Sequence, residues 1–211
     1  MNIQNKQLQF TTMKNNVWFT SDTHFLHYNI IKYCSRPFKD EEHMTEEIIK
    51  NWNRVVKEND IVFHLGDFMF GDMNRFYSIR SRLNGKIYLV IGNHDWKGVT
   101  QGYYTDEFFE GVYQQLKIVV DGQNIYLNHF PFLTFDGIYK GKPTWQLFGH
   151  VHSNDNLYKQ NSPDKERLPY LLPYQYDVGM DNNYYTPISF SDVKSIIEAQ
   201  ILKYKEIHTQ E

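Results

Sequence analysis

The 211-residue sequence predicts an α/β fold in a single domain spanning 1–211, on three observations. Apolar runs alternate with segments of helical periodicity through the first half, an order β-α-β-α-β that requires parallel strands. From Trp96 onward the pattern changes to aromatic-rich runs separated by turn residues, which reads as hairpins. Five of the apolar runs also stop at residues able to hold a metal ion or move a proton. Val17-Trp-Phe-Thr-Ser21 precedes Asp22 and His24, the run 61–65 precedes Gly66-Asp67, and Leu89-Val-Ile91 precedes Gly92-Asn93-His94-Asp95. Ile125-Tyr-Leu-Asn128 precedes His129, and Gln146-Leu-Phe-Gly149 precedes His150 and His152. These are five strand ends delivering one site.

Taken in order, residues 1–16 are polar and are expected to be flexible or to lie at a sheet edge. After the first strand, residues 29–34 can form a short helix that Ser35-Arg36-Pro37 ends, because proline disfavours helix in the residue before it. A longer helix is expected over 41–57, where Met44, Ile48, Trp52, Val55 and Val56 recur at helical spacing behind a capping Asp40. A strand over 61–65, a helix over 73–83 and a strand over 86–91 complete the α/β half. One strand is then expected over 112–120, turned by Asp121-Gly122 into a partner at 124–128. A strand at 144–148, a polar functional loop at 153–172, a strand at 176–180 and a helix at 192–205 finish the chain.

Composition narrows the function classes. With 41% hydrophobic and 17% aromatic residues the chain is a folded protein, and its net charge of −3 counts against binding long duplex nucleic acid or an anionic membrane. The single cysteine, Cys34, excludes an internal disulfide and a thiolate zinc cluster, so any metal must be held by nitrogen and oxygen. No signal-peptide core or long apolar segment is visible, which predicts a soluble cytoplasmic protein; a homo-oligomer is compatible with this.

The set Asp22, His24, Asp67, Asn93, His129, His150 and His152 mixes carboxylates, imidazoles and an amide. That mixture suits two borderline divalent cations, manganese first, with iron, nickel, cobalt or zinc as alternatives. Asp67, between the two groups in sequence, is the candidate bridge. His94 is then free to protonate a leaving oxygen or stabilise a phosphoryl group, with Asp95 orienting it.

Asp22-Thr-His24, Gly66-Asp67, Gly92-Asn93-His94-Asp95, His129 and Gly149-His150-Val-His152, in this order, resemble the calcineurin-like metallophosphoesterase superfamily. The resemblance spans residues 17–152. It implies a four-layer sandwich of two mixed β-sheets packed face to face and flanked by helices. It further implies that Asp22, His24, Asp67 and His152 hold one metal, that Asp67, Asn93, His129 and His150 hold the other, and that His94 is the catalytic histidine. Ser21-Asp-Thr-His-Phe-Leu-His27, Arg36-Pro-Phe38, Asp177-Val-Gly-Met-Asp181 and Pro187-Ile-Ser189 are similar to a small bacterial and phage branch of that superfamily, which supplies no substrate.

Other residues have weaker claims. His64 lies within a strand and reads as a satisfied core histidine, while His43 and His208 read as solvated. His27 and Arg36 follow the first ligand pair closely enough to contact substrate, arginine by a bidentate fork on phosphate. Phe25, Tyr28, Phe68, Phe70 and Trp96 follow site residues and can pack or stack on a base. Lys159, Lys165 and Arg167 form either a solvated surface or a lid. The expected activity is hydrolysis of a small phosphate ester by metal-bound hydroxide, with a diester of a nucleotide or cyclic nucleotide ahead of a monoester. A nuclease on short single strands and a non-catalytic binding scaffold are the alternatives.

Overall fold

In a computed structural model of the protein, residues 8–139, 141–152 and 168–208 are described. Ten strands form two five-stranded sheets. The first sheet has the spatial order β10 (Ile188–Ser189), β2 (Val17–Thr20), β3 (Ile61–His64), β4 (Lys86–Val90), β5 (Gly111–Tyr113). Strands β2 to β5 run parallel and β10 is antiparallel to β2. The second has the order β1 (Leu8–Phe10), β6 (Leu116–Val120), β7 (Gln123–Leu127), β8 (Trp145–Phe148), β9 (Gln175–Asp177), antiparallel only between β6 and β7. Both sheets are therefore mixed, as expected.

Period-two alternation divides each strand between two cores. Val17, Phe19, Ile61, Phe63 and Val90 of the first sheet face Ile118, Val120, Ile125, Leu127, Trp145 and Leu147 of the second, giving the face-to-face sandwich. Val62, Ile87 and Leu89 point the other way, toward α2 (Glu41–Val55) and α3 (Met73–Arg80), which contribute Met44, Ile48, Trp52, Phe76 and Ile79. The buried Trp52 donates its indole N–H to the Asn84 carbonyl at 2.9 Å. The final helix, here α5 (Phe190–His208), lays Phe190, Val193 and Ile197 against the inter-sheet core.

Capping follows the sequence. Asp40 accepts the His43 amide and Asp72 the Arg75 amide, satisfying N-terminal donors of α2 and α3. Helix α2 stops at Val55, two residues short of the expected end, because Val56 is already extended at φ −83°, ψ 133°. Two short helices, α1 (Tyr28–Tyr33) and α4 (Trp96–Thr100), follow site-bearing loops; α4 is absent from the sequence expectation.

One expectation requires correction. Residues 112–120 do not form one strand: β5 closes the first sheet and β6 opens the second, with only Gln114 and Gln115 between them. The hairpin itself is present, and its Asp121-Gly122 turn has positive φ at both residues, 46° and 73°, the primed geometry that matches strand twist. The segment 153–167, with Lys159, Lys165 and Arg167, lies outside the described residues. Among the described residues, no helix is long and apolar enough to cross a membrane.

Candidate metal centre

Parallel strands β2, β3 and β4 place their carboxyl ends side by side, so the loops that follow converge at one edge of the first sheet. Strands β7 and β8 deliver His129 and His150–His152 to the same edge from the second sheet. Backbone bonds stitch the loops together: the Asp22 amide donates to the Gly66 carbonyl at 2.9 Å and the His24 amide to the Asp67 carbonyl at 3.0 Å. Two glycines are required by close approach. A Cβ on Gly92 would overlap the Asp67 carboxylate, and one on Gly149 would overlap Ser21 and the Asp22 carboxylate. Of the ten described non-glycine residues with positive φ, five are Asp22, His24, Asp67, His150 and His152, so the candidate ligands sit on strained turns.

The side chains converge as two groups. Asp22, His24 and His152 present ligand-type atoms within 4.8 Å of one another, and so do Asp67, His129 and His150. Asp67 Oδ2 lies between them, 3.5 Å from His24 Nε2 and 3.5 Å from His129 Nε2. Its other oxygen accepts the His94 amide at 2.9 Å. Asn93 Oδ1 is 3.1 Å from His129 Nε2 and joins the second group. Every residue of the predicted ligand set is thus in the cluster.

Several observations fit a divalent cation at each group. Asp22 Oδ1 and His24 Nε2 are buried without a hydrogen-bond partner, a costly state unless something polar is shared between them. Nitrogen and oxygen donors together suit borderline transition metals rather than magnesium or calcium. In His129 and His152 the nitrogen facing away from the cluster is anchored on an acceptor oxygen, which fixes the tautomer that leaves Nε2 free. His129 donates Nδ1–H to the Leu65 carbonyl at 2.7 Å, and His152 donates Nδ1–H to Asp181 at 2.6 Å. His24 Nδ1 is 3.3 Å from His27 Nδ1. Burial lowers the His24 imidazole well below its usual range, assisted by the charge of His152, so it is held neutral as a ligand must be. Burial also lowers His129, but the hydrogen bond to Asp67 and the charge of Asp22 outweigh it and push the imidazole up to about 9. A cation on Nε2 would replace that proton.

The remaining expected site residues separate. His94 is 42% exposed at the open face, with Nε2 3.9 Å from Asp67 Oδ2. Asp95 does not orient it. Its carboxylate accepts the amides of Gly92 at 2.7 Å, Asp67 at 2.7 Å and Phe68 at 2.9 Å, and so clips the β3 and β4 loops together. Burial pushes this carboxyl up to about 6 against the three amides, which favour its ionised form. His27 lines a cleft of about 310 Å³ over the centre and stacks on Phe70 at 3.8 Å between ring centroids. Burial, followed by the charge of His94, lowers it to about 4.

Arg36 corrects a second expectation. It is 4% exposed, and its guanidinium donates to both oxygens of Asp181 and to the carbonyls of Asp22 and Thr23, which leaves no fork for a phosphate. His64 is a core histidine as expected, bonded to Thr23 and the Gly66 amide, and burial lowers it to about 3. The sequence places Asp181 in a visible motif that carries no role by itself, and gives none to Phe130. The Phe130 ring is 4.6 Å from His150 and 4.9 Å from His129. Its position immediately after His129 was the only signal.

Comparison with known proteins agrees with this geometry. Residues 16–177 match the family described as calcineurin-like phosphoesterase, and the chain belongs to that family. It is 31% identical over 191 residues to an uncharacterized protein of Methanocaldococcus jannaschii, covering 86% of this chain and 91% of that one. It is 26% identical over 160 residues to the gene 66 protein of Mycobacterium phage D29, covering 65% of this chain and 79% of that one. A crystal structure of a protein of unknown function from Aquifex aeolicus superposes with a TM-score of 0.64 at 28% identity, covering 86% of this chain and 99% of that one. The family supports a metal-dependent phosphoester hydrolase.

Proposed function

We propose that the protein hydrolyses a phosphodiester of a small nucleotide, with Asp22, His24, Asp67, Asn93, His129, His150 and His152 holding two divalent ions, manganese foremost. When bound, such a pair polarises the phosphoryl group and lowers the pKa of a shared water toward neutrality. Asp67, whose Oδ2 is reached by histidines of both groups, would help to hold both ions. His94 stands at the open face and delivers a proton to the departing oxygen.

The observation that carries the diester reading is the lining of the cleft. Among the described residues it presents His27, Asn29, Ile30, Tyr33 and Phe70 beside the candidate ligands and His94. A diester carries organic groups on both sides of the phosphate, which suit a cleft lined by imidazoles and aromatic rings. Phe70 stacked on His27 flanks one group and Phe130 flanks the other, which supports a nucleotide substrate.

The test is to strip the protein with chelator, restore manganese, nickel, cobalt, zinc or magnesium singly, and compare an aryl phosphodiester, the matching monoester and cyclic and linear nucleotides. Faster metal-restored turnover of the diesters is expected. A monoester turned over faster under the same metal would overturn the preference, and preferred cleavage of short single strands would favour the nuclease.

A further inference from the structure

Two sequence motifs remain without a role in the chemistry above: Arg36-Pro-Phe38 after α1, and Asp177-Val-Gly-Met-Asp181 after β9. The fold brings their charged residues together across 145 positions of chain. Arg36 Nε and Nη2 donate to the two oxygens of Asp181 at 3.0 and 2.7 Å, a bidentate pair with both side chains fully buried. Neither partner stops at the other. Nη2 also donates to the Asp22 carbonyl at 2.7 Å and Nη1 to the Thr23 carbonyl at 3.2 Å, the backbone between candidate ligands Asp22 and His24. Asp181 Oδ2 in turn accepts Nδ1–H of His152. Backbone contacts reinforce the link: Ser21 bridges to Gly179, and the Met180 amide donates to the Ser21 carbonyl at 3.0 Å.

Arg36 and Asp181 therefore touch, directly or through one bond, all three residues of one ion group: Asp22, His24 and His152. Among the described residues, neither Arg36 nor Asp181 hydrogen-bonds to Asp67 or His129. Cys34, His152 and Asp181 also lie close enough to suggest a third ion position. The guanidinium on Asp181 argues against it, since a cation there would meet a fixed positive charge already paired with the carboxylate.

We propose that Arg36 and Asp181 are positioning residues that set the ion affinity of the Asp22–His24–His152 position and leave the Asp67–His129–His150 position unchanged. The proposal rests on reading the cluster as a dinuclear centre. An imidazole aligned by a carboxylate holds metal more tightly, and removing that partner typically costs about 10–100-fold in affinity. The effect falls on one ion because only one group is wired to the pair.

The experiment measures Mn2+ alone, without substrate. Stoichiometry and affinity are followed by equilibrium dialysis, and the melting temperature is recorded before and after Mn2+ addition. Wild type is expected to bind two ions; failure to bind any would overturn the dinuclear reading itself. Asp181→Asn is expected to bind one ion normally and the second about 10–100-fold more weakly. It should also lose part of the metal-induced rise in melting temperature.

Because Asp181→Asn strands a buried arginine, the paired variant Arg36→Gln with Asp181→Asn removes both charges together. It is expected to recover metal-free stability while the second ion stays weak. Two ions bound with wild-type affinity in the paired variant would overturn the proposal and leave a purely structural ion pair. Equal weakening of both ions would overturn it as well.

Discussion

His129 points its Nδ1–H at a backbone carbonyl, that of Leu65, whereas His152 points its own at a buried carboxylate that an arginine holds in place. The two halves of the centre are thus anchored by different chemistry. On the Asp67 side the histidine is held by a main-chain atom, the Leu65 carbonyl, while the Asp67 carboxylate accepts the His94 amide and the Asp95 carboxylate gathers three loop amides. On the Asp22 side the carboxylate likewise accepts a main-chain amide, that of His150 at 3.0 Å, but the histidines are backed by side chains: His27 behind His24, and Asp181 with Arg36 behind His152. The Leu65 carbonyl behind His129 is set by the sheet and cannot be removed without moving a strand. Side-chain anchors can be altered singly, so the Asp22 half is the one that substitution can retune.

The largest effect is expected where the halves meet. Asp67→Asn removes the carboxylate shared by His24 and His129 while keeping the side chain's shape and its contact to the His94 amide. Turnover should fall by about three orders of magnitude or more, with ion binding weakened in both halves. Metal analysis alongside kinetics checks this, and loss of only one ion would place the bridge elsewhere.

His94 belongs to neither half. His94→Ala should keep both ions and lose about 10²–10⁴-fold in turnover, more for poor leaving groups than for activated aryl esters. A leaving-group series reads the difference. Equal losses along the series would assign His94 to charge stabilisation instead of proton delivery.

Asp95→Asn tests the side-chain clip on the Asp67 side. An amide group in place of the carboxylate must turn a donor toward one of three buried N–H groups. The expected cost is about 1–3 kcal/mol of stability, readable as a lower urea midpoint of the metal-free protein. The folded fraction should stay active. A turnover loss matching His94→Ala at unchanged stability would restore Asp95 as a partner of His94.

Much of this contrast was legible in the sequence only by halves. The strands and the ligand set were legible because period-two burial and the polar residues after each run are local signals, as in Ile61 and Phe63 against Val62. The split between β5 and β6 was not, since Gln114-Gln115 is a weak interruption of a β-prone run and sheet membership is a long-range property. Strands β1 and β10, of three and two residues, are too short to show a period. Residue type likewise says nothing of direction. Arg36 reads as a phosphate contact until Asp181, 145 positions away, is seen to take its fork, and Asp95 reads as a partner of His94 until its oxygens are found on three amides.

The smallest effect separates the halves by what stands outside them. Phe70, stacked on His27, borders the Asp22 side, while Phe130, 43% exposed, borders the Asp67 side at His129 and His150. Neither ring supplies a ligand atom or a proton, so truncating either to leucine should leave ion binding and the turnover of a methyl aryl phosphodiester near wild type. For a substrate with a base on each side of the phosphate, loss of one stacking contact worth about 1–3 kcal/mol predicts kcat/KM lowered roughly 5- to 150-fold. A cyclic mononucleotide carries a single base and can use one ring at a time. Phe70→Leu and Phe130→Leu should therefore both impair a linear dinucleotide, while only one of them impairs the cyclic nucleotide. Wild-type kcat/KM for both variants on both substrates would mean that the rings only pack against the histidines, and that the asymmetry of the centre ends at its anchors.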